Sequence, residues 1–226
     1  MISRYQWRGM LVAIAIGVAG CGADEGARGD EAPAPPAVGE RGRVVFLGTS
    51  LTAGLGLDPE QAYPAVIQRK IDSAGLAFEA VNAGVSGETS AGARRRIDWL
   101  LRQPVSVLVI ETGANDGLRG QQVDSLRANI QYIIDEARKL SPPPAIVLLG
   151  MRAPPNLGFG YARRFREVYP ELAEKNDLPL VPFLLEGVAG VGSLNQADMM
   201  HPTAKGQQRM ADVVWKVLEP VLRRAA

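Results

Sequence analysis

Residues 44–56 read VVFLGTSLTAGLG, a short apolar run that stops at Gly48 and is followed almost at once by Ser50. The run is β-branched and aromatic and too short for a lone helix, so it predicts a buried strand over 44–47. A residue just past the carboxyl end of such a strand lies where open α/β sheets bind their ligands. Ser50 is therefore a candidate nucleophile, although serine after glycine is also an ordinary turn or helix N-cap residue.

Strands and helices alternate along the rest of the chain. Further apolar runs predict four strands, at 78–81, 105–110, 145–149 and 180–182. Amphipathic patterns predict five helices, at 61–73, 91–101, 123–140, 161–176 and 203–222. Strands separated by helices imply a parallel sheet that right-handed crossovers cover on both faces. The sequence thus predicts one three-layer α/β/α domain with a five-stranded parallel sheet over 43–226.

Composition excludes several classes of protein. The 226 residues carry 25 Lys and Arg against 24 Asp and Glu, so a net charge of +1 indicates no nucleic-acid surface. With one histidine, His201, and one cysteine, Cys21, the chain lacks the usual zinc constellations and the means for an intrachain disulfide. We therefore expect no metal site, and only His201 can supply an imidazole for acid–base chemistry.

The first 20 residues have the pattern of an export signal. Arg4 and Arg8 precede an apolar segment of about ten residues, too short to span a bilayer, and Gly20 leads into Cys21. Residues 18–21, Val-Ala-Gly-Cys, resemble the bacterial lipobox, in which a signal peptidase cuts before the cysteine and the cysteine carries lipid chains. The alternative is an ordinary signal peptide whose cleavage region happens to contain a cysteine.

The residues after the signal predict a linker. Positions 21–42 are rich in Gly, Ala, Pro and charged residues and have no apolar period, which is typical of a disordered or extended tether. Gly22 follows the cysteine in place of the aspartate that favours retention of bacterial lipoproteins in the inner membrane. We therefore expect an exported lipoprotein of the cell envelope, anchored to the outer membrane through Cys21 and facing the periplasm.

The loops after the predicted strands carry residues suited to acyl transfer. Ser50 follows the first strand, Gly87 the second and Asn115 the third. His201 lies just before the last helix, with Asp198 three residues earlier. A serine hydroxyl needs a base such as an imidazole within hydrogen-bond reach, and the imidazole needs a carboxylate that fixes its tautomer. Backbone amides and the Asn115 amide can stabilise an oxyanion.

Each of these residues also has a structural interpretation. Asp198 can cap a turn, a lone histidine is more often structural than catalytic, and Asn115 can occupy a tight turn. The glycines can likewise serve tight loops. Their joint occurrence at the strand ends, in this order, favours the catalytic interpretation over several independent structural ones.

The same loops resemble the sequence blocks of the SGNH-hydrolase superfamily, also called GDSL esterases, and most of all its bacterial arylesterase, lysophospholipase and acyl-CoA thioesterase I branch. The matching segments span nearly all of 43–223 and are Gly48-Thr-Ser-Leu, Gly84-Val-Ser-Gly-Glu-Thr-Ser, Gly113-Ala-Asn-Asp-Gly-Leu-Arg-Gly and Asp198-x-x-His201-Pro. The resemblance implies a flavodoxin-like SGNH hydrolase fold and a catalytic triad of Ser50, Asp198 and His201. It also implies an oxyanion hole formed by Ser50, Gly87 and Asn115.

Two positions depart from the family pattern. The residue before the nucleophile is usually Asp and the residue before the asparagine is usually Gly, whereas this chain has Thr49 and Ala114. In the family the aspartate helps to orient the active-site loops, so we expect Thr49 to affect rate and loop rigidity more than reaction type. The Ala114 methyl group is expected to narrow the acyl site or to force a small change of backbone.

These residues predict a serine esterase that hydrolyses carboxylic acyl esters through an acyl-enzyme. Candidate substrates are aryl and alkyl esters, lysophospholipids and thioesters, with no metal or organic cofactor. Two alternatives stay open, namely a membrane-tethered, non-catalytic protein that binds acyl chains or glycans, and a carbohydrate O-acetylesterase. The Pro/Gly-rich segment 151–161 is either a wall of the acyl pocket or a plain connection, and a connection is the default for such a loop.

Overall fold

The computed structural model describes residues 41–226, so the predicted signal peptide, Cys21 and all but the end of the predicted linker lie outside the described residues. Its strands are β1 (Gly42–Gly48), β2 (Phe78–Gly84), β3 (Val107–Glu111), β4 (Ala145–Leu149) and β5 (Leu180–Val181). They form one parallel sheet in the order β2-β1-β3-β4-β5. Val44 of β1 lies opposite Ala80 of β2 on one side and Val107 of β3 on the other. The predicted five-stranded parallel sheet is confirmed.

Helices cover both faces of this sheet. They are α1 (Ser50–Ala53), α2 (Tyr63–Ser73), α3 (Ser90–Leu100), α4 (Ala114–Leu118), α5 (Val123–Arg138), α6 (Phe159–Asn176) and α7 (Ala204–Ala225). Helix α2 packs against α7, and helix α5 packs against both α3 and α6. These two groups are the outer layers of the predicted three-layer α/β/α fold, which is confirmed.

The core lies between the sheet and the helices. Every residue of β3 is buried, and so are positions 44–47 of β1, because a parallel strand covered on both faces needs few polar side chains. Ile67 of α2 and Ile130 of α5 have no exposed surface and pack into the same cluster. Because this hydrophobic core is closely packed, it fixes the carboxyl ends of the strands, where the loops with the predicted site residues begin.

The observed elements differ from the predicted ones mainly near the strand ends. Strands β1 and β2 stay in register as far as Gly48 and Gly84, beyond the predicted bounds. The sequence pattern does not predict the short helices α1 and α4, because four or five residues show no hydrophobic period. Helix α1 begins where the Thr49 side chain accepts a hydrogen bond from the Leu51 N–H at 3.4 Å, as an N-cap. Ser50 is thereby the first residue of a helix at the edge of the sheet.

Candidate active site

The carboxyl edge of the sheet brings the predicted residues to one groove. Ser50 opens α1 directly after β1, Gly87 follows β2, and Asn115 lies in α4 just after β3. His201 lies on the loop before α7. The groove has a volume of about 650 Å³, and its walls include Ser50, Gly87, Asn115 and His201.

Two hydrogen bonds join Asp198, His201 and Ser50 in a row. Nδ1 of His201 is 2.6 Å from Oδ2 of Asp198, and Nε2 of His201 is 3.0 Å from Oγ of Ser50. Because a carboxylate can only accept, it keeps the proton on Nδ1 and leaves the Nε2 lone pair facing the serine hydroxyl. In this tautomer Ser50 donates to His201, which is the arrangement that a general base needs.

The carboxylate of Asp198 is held in its ionised form. The hydrogen bond from the His201 ring, followed by those from the backbone N–H groups of His201 and Met200, keeps the pKa of Asp198 well below its usual value. Both N–H groups lie 2.9 Å from Oδ1. Since these donors favour the charged form, Asp198 stays a carboxylate at neutral pH.

A backbone hydrogen bond joins the two ends of the loop that carries Asp198 and His201. The Gln196 N–H donates to the His201 carbonyl at 2.7 Å, and Met199 adopts a φ of 56°, a conformation uncommon for a residue with a side chain. The Gln196 side-chain amide donates to the Leu55 carbonyl, just beyond α1, at 2.8 Å. The loop that holds His201 is thus attached to the segment that follows Ser50.

Three groups on the groove wall can donate to an oxyanion. Within residues 41–226, neither the Ser50 nor the Gly87 backbone N–H has a hydrogen-bond partner. Nδ2 of Asn115 donates one hydrogen to the Glu88 carbonyl at 2.9 Å and retains a second. Gly87 has a φ of 78°, which a glycine adopts without strain. Donors that other protein groups leave free are what a developing oxyanion requires.

Next to Ser50, Thr49 is bonded to the buried carboxylate of Glu111. The Thr49 backbone N–H donates to Oε2 at 2.6 Å, and the Thr49 hydroxyl lies 3.1 and 3.0 Å from the two oxygens. The Thr52 hydroxyl donates to the same Oε2 at 2.9 Å. A threonine therefore fits this position, because its hydroxyl can donate to Glu111 whereas an ionised aspartate cannot.

Glu111 ends β3 and has no exposed surface. Burial raises the pKa of its carboxyl, and the hydrogen bonds from Thr49 and Thr52 oppose that shift. Burial also raises the pKa of Tyr63, whose hydroxyl lies 2.9 Å from the Thr52 hydroxyl. This network attaches the turn that carries Ser50 to β3 and to α2.

Arg96 of α3 attaches the loop of Gly87 to the end of β1. Its guanidinium donates to the Gly48 carbonyl at 3.3 Å and forms an ion pair of 2.6 Å with Glu88. Glu88 adjoins Gly87 and accepts from Asn115, so Arg96 helps to position both of these predicted oxyanion donors.

Asp116 connects the same loop to the third sequence block. Its carboxylate accepts from the Ser90 N–H at 2.8 Å and from the Ser90 hydroxyl at 2.6 Å, and it is almost fully buried. The start of α3 is thereby attached to α4.

Sequence reasoning missed Glu111, Arg96 and Asp116. The sequence does contain a signal for Glu111, because it is the single acid at the end of the apolar run VLVIE. Charged residues are rarely buried without partners, so an acid in this position indicates a buried polar contact. Asp116 lies in a matched block beside Asn115. Arg96 has no such signal, since the run Arg94-Arg-Arg96 reads as a solvated helix face.

Ala114 lies on the groove wall within helix α4. The left-handed backbone that this turn requires falls on Gly113, whose φ is 104°. The extra methyl group therefore narrows the groove while the residue keeps ordinary helical geometry.

The remaining walls of the groove are mainly apolar. They include Leu55, Leu118, Met151, Ala153, Pro154, Phe183, Leu185, Met199 and Met200. The first part of segment 151–161 is thus a wall of the groove and more than a connection. Within residues 41–226, no three His, Cys, Asp or Glu side chains gather as a metal site would require.

Comparisons with known proteins agree with this geometry. Residues 46–209 match the GDSL-like Lipase/Acylhydrolase family. The chain is 39% identical to Esterase TesA of Pseudomonas aeruginosa over 180 residues, which are 79% of this chain and 89% of the relative. It is 36% identical to Thioesterase 1/protease 1/lysophospholipase L1 of Escherichia coli K12 over 181 residues, 79% of this chain and 84% of the relative.

A solved structure supports the same assignment. The crystal structure of TesA matches with a TM-score of 0.75 at 39% identity and covers 79% of this chain and 99% of that one. The family match extends over more than half of the sequence and includes the loops of Ser50, Gly87, Asn115 and His201. The chain therefore belongs to the GDSL-like lipase/acylhydrolase family, the SGNH hydrolases.

Proposed function

We propose that this carboxylic ester hydrolase uses Ser50 as nucleophile, His201 as general base and acid, and Asp198 as the group that orients the imidazole. The Ser50 and Gly87 N–H groups and the Asn115 amide stabilise the oxyanion, where one donor is typically worth about 3 kcal/mol. The observation that carries the proposal is the row of contacts from Asp198 through His201 to Ser50, of 2.6 and 3.0 Å.

The reaction has two halves. His201 Nε2 takes the Ser50 proton as Oγ attacks the acyl carbonyl carbon, and the leaving group then departs with that proton. An acyl-enzyme remains on Ser50. His201 next removes a proton from water, the hydroxide attacks the acyl carbon, and Oγ leaves with the proton to release the acid. Asp198 stabilises the imidazolium that forms in each half.

Hydrolysis of p-nitrophenyl butyrate by the full chain tests the nucleophile. We expect Ser50→Ala to lower kcat by at least about a thousandfold, because the oxyanion donors alone give little turnover. Ser125→Ala, at an exposed position of α5, is the matched control and should leave kcat unchanged. A fluorophosphonate should lose fluoride and phosphonylate Ser50 Oγ, as mass spectrometry of the peptide would report. Undiminished turnover by Ser50→Ala would overturn the assignment.

We further propose substrates with an apolar acyl chain, because most of the groove wall is apolar. Aryl and alkyl esters, lysophospholipids and thioesters are the candidates, and the name of the Escherichia coli relative includes thioesterase and lysophospholipase. Rates on acetyl, butyryl, octanoyl and lauroyl esters of p-nitrophenol test this proposal. We expect higher kcat/KM on the longer chains, whereas a strict preference for acetyl would instead indicate a carbohydrate O-acetylesterase.

We also propose that the chain is an exported bacterial lipoprotein, held at the outer membrane through lipid on Cys21 and facing the periplasm. The support is the charged and apolar order of residues 1–20 followed by the single cysteine. Residues 21–42 would then link the anchor to the hydrolase domain of 43–226. No helix within residues 41–226 has both the length and the apolar character to cross a bilayer.

Metabolic labelling with radioactive palmitate in a bacterial host tests the anchor. We expect the full chain to incorporate the label and to sediment with outer membranes. The Cys21→Ser variant should do neither. Label that persists in Cys21→Ser, or a soluble and unlabelled parent chain, would contradict the lipoprotein proposal.

A further inference from the structure

A second cavity adjoins the groove, and three arginines lie on its wall. This arginine pocket has a volume of about 470 Å³ and is lined by Arg152, Arg163 and Arg166 together with Phe159 and a few small residues. Arg152 and Ala153 line both the arginine pocket and the groove. The two cavities therefore share a boundary at these two residues.

The arginine pocket keeps a positive charge. Its wall contains no acidic residue among those that the structure describes. Glu186 lies 3.8 Å from Arg152, and Glu167 lies 4.0 Å from Arg163, with side chains that are about half exposed or more. Both distances are too long for a hydrogen bond, and three arginines against two glutamates leave a net positive charge around the pocket. Three guanidinium groups thus surround an open space that an anion can enter.

The guanidinium group of Arg152 is stacked on an aromatic ring. Its guanidinium carbon lies 4.1 Å from the centre of the Phe183 ring, in a cation–π contact. Stacking uses the face of the guanidinium and leaves the N–H donors in its plane available. Phe183 lines the groove, so this stacked pair stands at the boundary of the two cavities.

The other two arginines come from one helix. Arg163 and Arg166 are three residues apart on α6, a spacing that places both on the same side of a helix. Phe159, which is 93% exposed, adds an apolar surface beside them. The two arginines and the stacked Arg152 therefore approach the pocket from different segments of the chain.

We propose that the arginine pocket binds a phosphate group on the leaving group of the substrate, while the acyl chain lies in the groove. The inference rests on the proposed function of Ser50 and narrows it to acyl esters and thioesters whose alcohol or thiol part carries phosphate. Guanidinium groups suit this ligand because they donate two parallel hydrogen bonds to phosphate oxygens. The apolar groove supplies the complementary surface for the acyl chain.

Two esters with the same acyl chain test the proposal on the full-length protein. One is lauroyl lysophosphatidic acid and the other is the neutral lauroyl ester of glycerol, each kept below its micelle concentration. We expect Arg163→Gln combined with Arg166→Gln to lower kcat/KM on the phosphate ester about tenfold, mainly through KM. The same variant should keep its kcat/KM on the glycerol ester and on p-nitrophenyl butyrate within about twofold.

Arg164→Gln is the matched control, since Arg164 is exposed on the same helix but does not line the pocket. It should leave kcat/KM on both lauroyl esters unchanged. An equal loss on the two lauroyl esters in the double variant, no loss on either the phosphate ester or lauroyl-coenzyme A, or the same loss in Arg164→Gln would overturn the proposal.

Lauroyl-coenzyme A, assayed with the same variants, distinguishes the sources of phosphate. A tenfold loss confined to the thioester would assign the pocket to coenzyme A, and a loss confined to the lysolipid would assign it to a lipid headgroup. Failure of the proposed function is separable from failure of this inference. Turnover of p-nitrophenyl butyrate that survives Ser50→Ala refutes the former, whereas Ser50-dependent turnover without phosphate selectivity refutes only the latter.

Discussion

At the scale of single residues, the acid of the proposed triad lies at the protein surface. Asp198 has 47% of its side chain exposed, yet its pKa is lowered by hydrogen bonds from His201 and Met200. A carboxyl whose pKa is lower in the folded state stabilises the fold at pH values above its unfolded-state pKa. That contribution is lost as the pH falls through the folded-state value.

The first prediction follows from the lowered pKa of Asp198. Asp198→Asn should reduce the free energy of unfolding at pH 7, and the difference from the parent should shrink as the pH falls below about 4. Urea unfolding at pH 7 and pH 3 measures this difference in unfolding free energy. Asp98→Asn, on the exposed face of α3, is the control. A difference that stays constant between the two pH values would contradict the role given to these hydrogen bonds.

The second prediction concerns Thr49. Thr49→Val keeps the shape of the side chain but leaves Glu111 without one donor, so we expect a loss of about 1–3 kcal/mol in unfolding free energy. We also expect a lower kcat with a smaller change in KM, because the turn that carries Ser50 is less firmly attached to β3.

Thr112→Val is the matched control for this change. Thr112 is equally buried, but its hydroxyl has no hydrogen-bond partner within residues 41–226. Its replacement should leave the stability unchanged or raise it slightly, because it removes an unsatisfied polar atom. Equal destabilisation by the two valines would show that packing, and not the bond to Glu111, explains the effect.

The sequence predicts the residues that the structure brings together at the groove, because each lies in a short motif directly after a strand or before a helix. It does not predict what holds them there. Thr49 and Glu111 are 62 positions apart, and their pairing depends on the register of β1 against β3. Contacts of this kind appear only once the strand order is known.

At the scale of elements, helix α7 is attached through one buried side chain to the segment that follows Ser50, the proposed nucleophile. Oε1 of Gln207 accepts from the Tyr63 N–H at 2.8 Å, and Nε2 donates to the Leu51 carbonyl at 3.1 Å. Helix α7 follows the His201 loop directly, so this amide helps to set the position of His201 relative to α1.

The third prediction tests that attachment. Gln207→Met leaves a backbone donor and a backbone acceptor without their partner, so we expect a loss of about 2–4 kcal/mol in unfolding free energy and a lower kcat. Gln208→Met, at the exposed neighbouring position, should change neither quantity. The proposed role is refuted if the two variants unfold at the same urea concentration.

The long helices follow from the sequence to within a few residues, since α2, α5 and α6 each carry a hydrophobic period over three or more turns. The short helices α1 and α4 do not, and they are the elements that present Ser50 and Asn115. Their existence depends on the Thr49 cap and on the turn at Gly113, which are local features at the edge of the finished sheet.

At the scale of the whole molecule, the first residues that the structure describes hold the start of β1 in place. Arg41 forms an ion pair of 2.9 Å with Asp72, and Gly42 and Arg43 pair with β2. These three residues therefore attach the start of β1 to its neighbours.

The fourth prediction separates the domain from the residues before it. A chain that begins at Arg41 should hydrolyse p-nitrophenyl butyrate with the kcat/KM of the full chain, within about twofold. A chain that begins at Val44 should unfold more easily by about 1–3 kcal/mol, because it lacks the Arg41 contact and two paired residues of β1. Loss of activity in the chain that begins at Arg41 would mean that the preceding residues contribute to the site.

The wall formed by Met151, Ala153 and Pro154 has a consequence for how such an enzyme diversifies. None of these residues belongs to the proposed triad or oxyanion hole, and none supports Thr49 or Glu111. We therefore expect mutations that reshape this wall to change which esters fit, while Ser50, His201 and Asp198 keep their positions. After gene duplication, one copy can therefore change its ester specificity by single substitutions in this wall, without an inactive intermediate.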